Sequence, residues 1–283
     1  MRLFDLPQAK HFCETLPAAA PRSGQSLAHL HASLGIGVTR LLEGTTRFGA
    51  HQAALLDSVE RWLLYSLAHY RRAFDMLVPV CAPWAQITLY YSSFFAANAV
   101  LGMFGGWIGS TSHGTRVVDA ERGLIGSQEL KVHRKVTAPS GARGSHRVFW
   151  DIFYDATASI SAWAPPALAI ALSPVNGDFA WQITERNDIN YDMFHAWSSS
   201  RHFHATFRPE RLSRLDGPAR LQLETTERMI RLALHFAREL ALPGNALNGL
   251  STSGSRTQMQ KRLVTSKVPK LVSQSALSDF LEL

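Results

Sequence analysis

The clearest pattern in the chain is the repeat of apolar residues every three or four positions. It covers residues 55–77 and 221–242, and this spacing predicts two amphipathic helices. Between them, residues 84–103 are apolar on all sides, as is typical of a helix buried in a bundle. Glycine or proline follows each segment and predicts its end. We therefore expect a mainly α-helical protein with a helical-bundle core.

The apolar central segment raises the question of a membrane span. No Asp, Glu, Lys or Arg occurs between Asp75 and Arg116, and residues 88–109 are long enough to cross a bilayer. The segment also carries four polar residues, Thr88, Ser92, Ser93 and Asn98, and no second stretch resembles it. These observations favour a buried helix and no membrane partner. Membrane association through residues 88–109 is the lesser alternative.

The middle of the chain has a different pattern. Residues 129–137 alternate between apolar and polar, and residues 147–154 are rich in β-branched and aromatic side chains. Proline and glycine occur in the stretch between them. We expect a β-hairpin over about 128–155, inserted into the helical domain.

These patterns divide the chain into three parts. Residues 1–50 show weak periodicity and are expected to wrap the core as loops and short helices. Residues 51–243 form the helical domain with its inserted hairpin. Residues 244–283 are rich in Ser, Thr, Gly and basic residues, which predicts a flexible basic tail.

The net charge of +7 indicates a polyanionic partner, although an Arg-rich composition without such a partner is an equal alternative. From Lys131 to Arg147 there are five Lys or Arg and no acid, so the predicted hairpin is a basic arm. A solvated exposed face is its simpler interpretation. The candidate RNA-binding residues are Lys131, His133, Arg134, Lys135, Arg143 and Arg147.

Cysteine usage and the N-terminus bear on the compartment. Cys13 and Cys81 are the two cysteines, too few for a disulfide framework, which favours a reducing compartment. Met1 and the residues after it form no continuous apolar run, so we expect no secretory signal and a cytoplasmic location. We find no metal-ligand, dinucleotide or phosphate-loop motif, and we expect neither a metal nor a cofactor.

A polar cluster occupies residues 185–192, with the sequence Glu-Arg-Asn-Asp-Ile-Asn-Tyr-Asp. Polar side chains beside a helical core must be paired, and a binding site can be built where they converge. A polar turn or helix cap, with Asp188 or Asn190 bonded to its own backbone, is the alternative.

Two motifs together resemble the HEPN superfamily of helical bundles in bacterial toxins and antiphage defence proteins. They are the Tyr-Tyr-Ser-Ser-Phe-Phe-Ala-Ala sequence of residues 90–97 and the later Arg186-Asn187 pair. Family members carry an Arg, a polar residue and then a His. Here His195 lies beyond the usual window, and Tyr191 occupies that window. The resemblance covers residues 55–104 and 181–242.

The resemblance implies a metal-independent endoribonuclease or toxin that acts as a homodimer, with a partner or inhibitor protein. Its site residues would be Arg186, Asn187, Tyr191 and His195. Such cleavage needs proton transfers, for which His suits neutral pH, and a cation at the phosphate. The pKa of Tyr, ordinarily near ~10, makes it a poor base. The alternative is a catalytically silent module that binds RNA or a partner protein within a larger complex.

Overall fold

The structure is a computed structural model. It describes residues 1–14, 27, 30–31, 40–76, 82–111, 114–122, 127–134, 145–192, 196 and 217–240. These ranges hold seven α-helices and one four-stranded antiparallel sheet, which confirms the prediction of a mainly helical protein. The predicted tail, residues 244–283, lies outside the described ranges.

The helices account for most of the described residues. They are α1 (Leu6–Glu14), α2 (Thr46–Asp75), α3 (Ala82–Met103), α4 (Ser145–Thr157), α5 (Pro166–Ala169), α6 (Trp181–Tyr191) and α7 (Gly217–Glu239). Short 3-10 segments flank α5 at Ala158–Trp163 and Ile170–Leu172. The predicted helices at 55–77, 84–103 and 221–242 correspond to α2, α3 and α7.

Helix α3 lies in the centre of the core, packed between α2 and α7. Its small residues Ala96, Ala97 and Ala99 are fully buried and let the neighbouring helices approach closely. Phe104, just after α3, packs edge-on against Phe236 of α7 with ring centroids 4.8 Å apart. This burial explains why residues 84–103 are apolar on all sides.

Two polar contacts bring α2 and α3 close together. Ser66 Oγ donates to the Ser92 carbonyl oxygen at 2.8 Å, and Ser92 Oγ donates to the Ser66 carbonyl oxygen at 2.7 Å. Further along the same interface, a Cβ at Gly102 would overlap the side chain of Val59. Glycine is therefore required there for the two helices to touch.

Across the described ranges, no helix combines the length and the apolar character that a membrane crossing needs.

The sheet is built from strands β1 (Arg40–Leu42), β2 (Trp107–Thr111), β3 (Gly114–Arg122) and β4 (Gln128–Arg134), in the order β1-β4-β3-β2. In its centre Leu130 lies opposite Ala120 on one side and Leu41 on the other, and all three side chains are buried. The apolar positions of β4 therefore face the core, as the alternation of residues 129–137 predicted. The N-terminus joins this layer, because the Ala120 N–H donates to the Arg2 carbonyl oxygen at 3.0 Å.

The predicted hairpin over 128–155 is half wrong. Strand β4 exists, but its partners are β1 and β3, and residues 147–154 belong to helix α4. Every residue of α4 from Val148 to Tyr154 is buried. Burial on all sides removes the polar stripe that marks a helix, and the aromatic and β-branched residues then suggest a strand.

Candidate active site

Residues 185–191 of the polar cluster lie on helix α6, and Asp192 follows the end of the helix. Just before α6, Asp178 Oδ1 accepts the Ala180 N–H at 2.8 Å. Ile183 and Ile189 are both buried. Arg186 lies three residues from each of them and therefore turns toward the same side of the helix.

The Arg186 guanidinium is held by groups from two helices. Its Nη1 donates to Asn187 Oδ1 at 2.9 Å, and its Nη2 donates to the Tyr91 hydroxyl at 2.9 Å. Its Cζ lies 6.0 Å from the ring centre of Tyr90 and 5.7 Å from that of Tyr91, within cation–π range. Nε is buried and has no hydrogen-bond partner among the described residues. Nη1 and Nη2 carry two N–H groups each and give one to these partners, so two donors remain for an anion.

A histidine joins this group from the first turn of α4. His146 Nδ1 and the Tyr90 hydroxyl are joined by a 2.7 Å hydrogen bond, and the His146 ring lies edge-on to Tyr91 at 6.1 Å. Trp150, one turn further along α4, donates its Nε1–H to the Tyr90 oxygen at 3.3 Å. The Tyr90–Tyr91 pair on α3 thus connects Arg186 of α6 to His146 of α4.

The surroundings set the protonation of both groups. Burial, followed by the positive charge of Arg186, lowers the pKa of His146 below its ordinary value. The ring is therefore neutral at pH 7 and can accept a proton. Burial raises the pKa of Tyr90, so its hydroxyl stays protonated and acts only through hydrogen bonds.

Beneath these groups a polar seam extends into the core between α3, α6 and α7. Ser93 and Thr226 share a 2.8 Å hydrogen bond between their hydroxyls, and Gln222 Nε2 reaches Thr226 Oγ1 at 3.2 Å. Gln222 also donates to Gln182 Oε1 at 3.4 Å, one turn of α6 before Arg186. The seam fixes α6 against α3 and α7, and with it the position of Arg186.

The predicted site residues are brought together only in part. Arg186 and Asn187 are adjacent and hydrogen-bonded, whereas Tyr191 is 82% exposed at the last turn of α6. Five residues along a helix amount to about 140° of rotation, so Tyr191 points away from Arg186. His195 lies outside the described residues.

Three site residues were not predicted. Tyr90 and Tyr91 belong to the aromatic sequence noted in the chain, and only the fold reveals that they contact Arg186. His146 precedes a segment that was interpreted as a strand. No sequence spacing connects His146 to a residue forty positions away.

Two of the candidate RNA-binding residues, Lys131 and His133, have acidic neighbours. Lys131 and His133 project from β4 beside acids of β3: Lys131 Nζ lies 3.9 Å from Glu121 Oε1, and His133 Nε2 lies 3.1 Å from Asp119 Oδ2. These contacts reduce the positive field that the sequence alone suggested for the arm.

Of the other candidates, the structure describes Arg147 and the backbone of Arg134. Arg147 is exposed on α4, next to His146. Arg134 closes strand β4. Lys135 and Arg143 lie outside the described residues.

A second buried polar cluster lies where α2 meets the sheet. His31 Nε2 and His51 Nδ1 are 3.1 Å apart, and the His31 ring stacks on Trp107 at 4.3 Å. Arg116 of β3 donates Nη1 to the His31 carbonyl oxygen. Burial first, and then Arg116, lowers the pKa of His31 to about 4; burial and then His31 lower the pKa of His51 well below its ordinary value. Both rings are therefore neutral at pH 7.

Metal ligands do not converge in the described part of the chain: it contains no group of three or more His, Cys, Asp or Glu placed to hold an ion. Comparison with known proteins gives no match, whether to a protein-family model, a curated protein or a solved structure.

Proposed function

We propose that the protein is a HEPN-like, RNA-targeting endoribonuclease of bacterial defence that cleaves without a metal, and that Arg186 and His146 carry the reaction. The observation that supports this proposal is that both residues contact the Tyr90–Tyr91 pair: His146 is hydrogen-bonded to Tyr90, and Arg186 contacts both rings. A cation with unused donors and a neutral imidazole beside it are the two groups that RNA transesterification requires.

In the proposed reaction the 2′-hydroxyl oxygen attacks the adjacent phosphorus while the bond from phosphorus to the 5′-oxygen breaks. His146 takes the 2′-hydroxyl proton and then returns a proton to the departing 5′-oxygen. Its Nδ1 faces Tyr90, which leaves Nε2 for the substrate. Arg186 stabilises the negative charge that builds up on the phosphate oxygens.

Tyr90 and Asn187 act as positioning residues in this scheme. When Nδ1–H of His146 donates to the Tyr90 oxygen, Nε2 carries the lone pair that a base needs. Trp150 donates to the same oxygen and fixes the Tyr90 side chain. Asn187 holds one edge of the Arg186 guanidinium in place.

The second candidate function is a catalytically inactive HEPN-like module that binds RNA or a partner protein. One observation favours it: Tyr91 and Asn187 already occupy two of the Arg186 donors, which leaves fewer for a phosphate in the transition state. A tightly held guanidinium suits binding of a phosphate as well as its cleavage.

Cleavage of end-labelled RNA by the purified protein in EDTA distinguishes the two functions. The proposal expects wild-type cleavage that Arg186→Ala abolishes and Arg186→Lys restores only weakly, because Lys lacks the planar fork. Arg228→Ala is the matched control, since Arg228 lies on α7 and pairs with Glu224. Salt-sensitive RNA binding without cleavage would favour the binding module.

A further inference from the structure

Four aromatic rings on α2 and α3 form one continuous surface: Tyr65, His69, Tyr91 and Phe95. Ring centroids are 5.5 Å apart for Tyr65 and Phe95, 5.0 Å for His69 and Phe95, and 6.4 Å for His69 and Tyr91. Each helix contributes two residues four positions apart, so both pairs lie on one side of their helices. We call these four residues the aromatic surface.

The aromatic surface is open to solvent. Tyr65 is 44% exposed, and His69, Tyr91 and Phe95 are each partly exposed. A single exposed aromatic residue is common, whereas contiguous exposed apolar side chains are a feature of binding surfaces. The hydrogen bonds between Ser66 and Ser92 hold α2 and α3 together directly beneath it, so the rings are presented on a rigid support.

One end of the aromatic surface meets the guanidinium of the candidate active site. Tyr91 belongs to both, because its ring contacts His69 and its hydroxyl accepts the Arg186 hydrogen bond. Rings that can stack on bases, next to a cation that can bind phosphate, are what proteins present to single-stranded nucleic acids.

We propose that the aromatic surface binds unpaired bases of a single-stranded RNA whose phosphate lies at Arg186. The inference rests on the proposed function in taking RNA as the ligand, and it adds Tyr65, His69 and Phe95 as base-stacking residues. A duplex keeps its bases stacked inside, so the surface also selects against double-stranded RNA.

The cation at one end of the aromatic surface favours RNA as its occupant. Arg186 Nη1 and Nη2 each donate one hydrogen bond, to Asn187 and to Tyr91, and each keeps a second N–H for a phosphate. Rings beside such a cation attract a polyanion that carries bases.

The test measures binding of a fluorescent 2′-O-methyl oligouridylate of about 12 nucleotides, which has no free 2′-hydroxyl and resists cleavage. The proposal expects Tyr65→Ala to weaken its binding by about 5- to 100-fold. Tyr65→Phe should bind like the wild type, because it keeps the ring. A blunt duplex of the same length should bind weakly to all variants.

Two controls make the result specific. Trp163→Ala removes an aromatic side chain of similar exposure, 43%, that lies outside the aromatic surface, and it should bind like the wild type. Inorganic polyphosphate has charge but no bases. As a competitor of the oligouridylate, it should bind the wild type and Tyr65→Ala with equal affinity. Phe95→Leu provides a second test with little loss of apolar volume.

Two outcomes would overturn the inference: wild-type affinity in Tyr65→Ala and Phe95→Leu, or a change in their oligomeric state in sedimentation without a change in affinity. The second outcome would assign the surface to contacts between copies. Because the probe cannot be cleaved, this result is separate from catalysis. Failure of the wild type to cut ordinary RNA would reject the nuclease proposal and leave a Tyr65-dependent binding result standing.

Discussion

Arg186 of α6 and Tyr91 of α3 are ninety-five residues apart in the chain and are joined by a 2.9 Å hydrogen bond from the guanidinium to the hydroxyl. The bond fixes the Arg186 guanidinium against α3, the helix in the centre of the core. It also places Arg186 at one end of the aromatic surface. The position of the Arg186 guanidinium therefore depends on how α3 and α6 pack.

Tyr91→Phe tests this dependence by removing the hydroxyl and keeping the ring. Hydrogen bonds to charged groups contribute about 1.5–3 kcal/mol, so we expect RNA cleavage to slow by about 10-fold or more. Binding of the uncleavable oligouridylate should change much less, because stacking is kept. Cleavage assays and fluorescence titrations measure the two effects. Equal cleavage by the variant and the wild type would show that the hydroxyl does not position Arg186.

The His31–His51 pair predicts a fold that weakens in mild acid. The folded protein holds the pKa of His31 at about 4, whereas an unfolded His titrates near ~6.5. The unfolded state then binds more protons between these two pH values. The contribution of His31 to the free energy of unfolding is therefore fully present above about pH 6.5 and is lost as the pH is lowered toward 4. Protonation of His31 alone lowers the free energy of unfolding by about 3 kcal/mol. Urea denaturation at a series of pH values measures it.

The control for the histidine pair is His51→Gln, which removes one titrating ring and keeps a polar side chain. We expect a lower stability at pH 7 and a weaker dependence on pH between about 4 and 6.5. His235→Gln, at a partly exposed position on α7, should keep the wild-type dependence. An unchanged pH dependence in His51→Gln would mean that other groups, such as the carboxylates, cause it.

Gly102→Ala tests the contact between α2 and α3. The new methyl group would overlap Val59, and overpacking of this kind costs about 1–3 kcal/mol in the free energy of unfolding. The double variant Gly102→Ala, Val59→Ala removes the overlap and should recover part of that loss. Urea denaturation of both single variants and the double variant measures the coupling. Independent, additive effects would contradict the close contact.

The hydrophobic pattern predicted the helices whose buried faces are apolar. It did not predict helical segments in which polar residues are buried. Helix α2 begins at Thr46, where the Thr45 hydroxyl accepts the Phe48 N–H at 3.3 Å, yet periodicity indicated a start near residue 55. The intervening His51 and Gln52 are buried polar residues that obscure the apolar stripe. Their partners come from distant segments, which no local pattern reveals.

The same limit applies to the candidate site. Arg186 and Asn187 were singled out by the polar cluster of residues 185–192 and by the resemblance to the HEPN pattern, and their place in a site stays a prediction. His146 could not be predicted, because its partner Tyr90 lies fifty-six residues away and α4 is buried on most sides. The acids Asp119 and Glu121 beside the basic strand were also missed, since strand pairing, not sequence order, places them there.

In the proposed reaction His146 transfers protons beside Arg186, and single-turnover cleavage of end-labelled RNA in EDTA by the wild type and His146→Asn tests this most directly. We predict a wild-type product with a 2′,3′-cyclic phosphate and a rate about 100-fold lower in the variant. The wild-type rate should stay constant down to below about pH 6.5, because burial lowers the pKa of His146. Equal rates in the two proteins, or no cleavage by the wild type, would contradict the account.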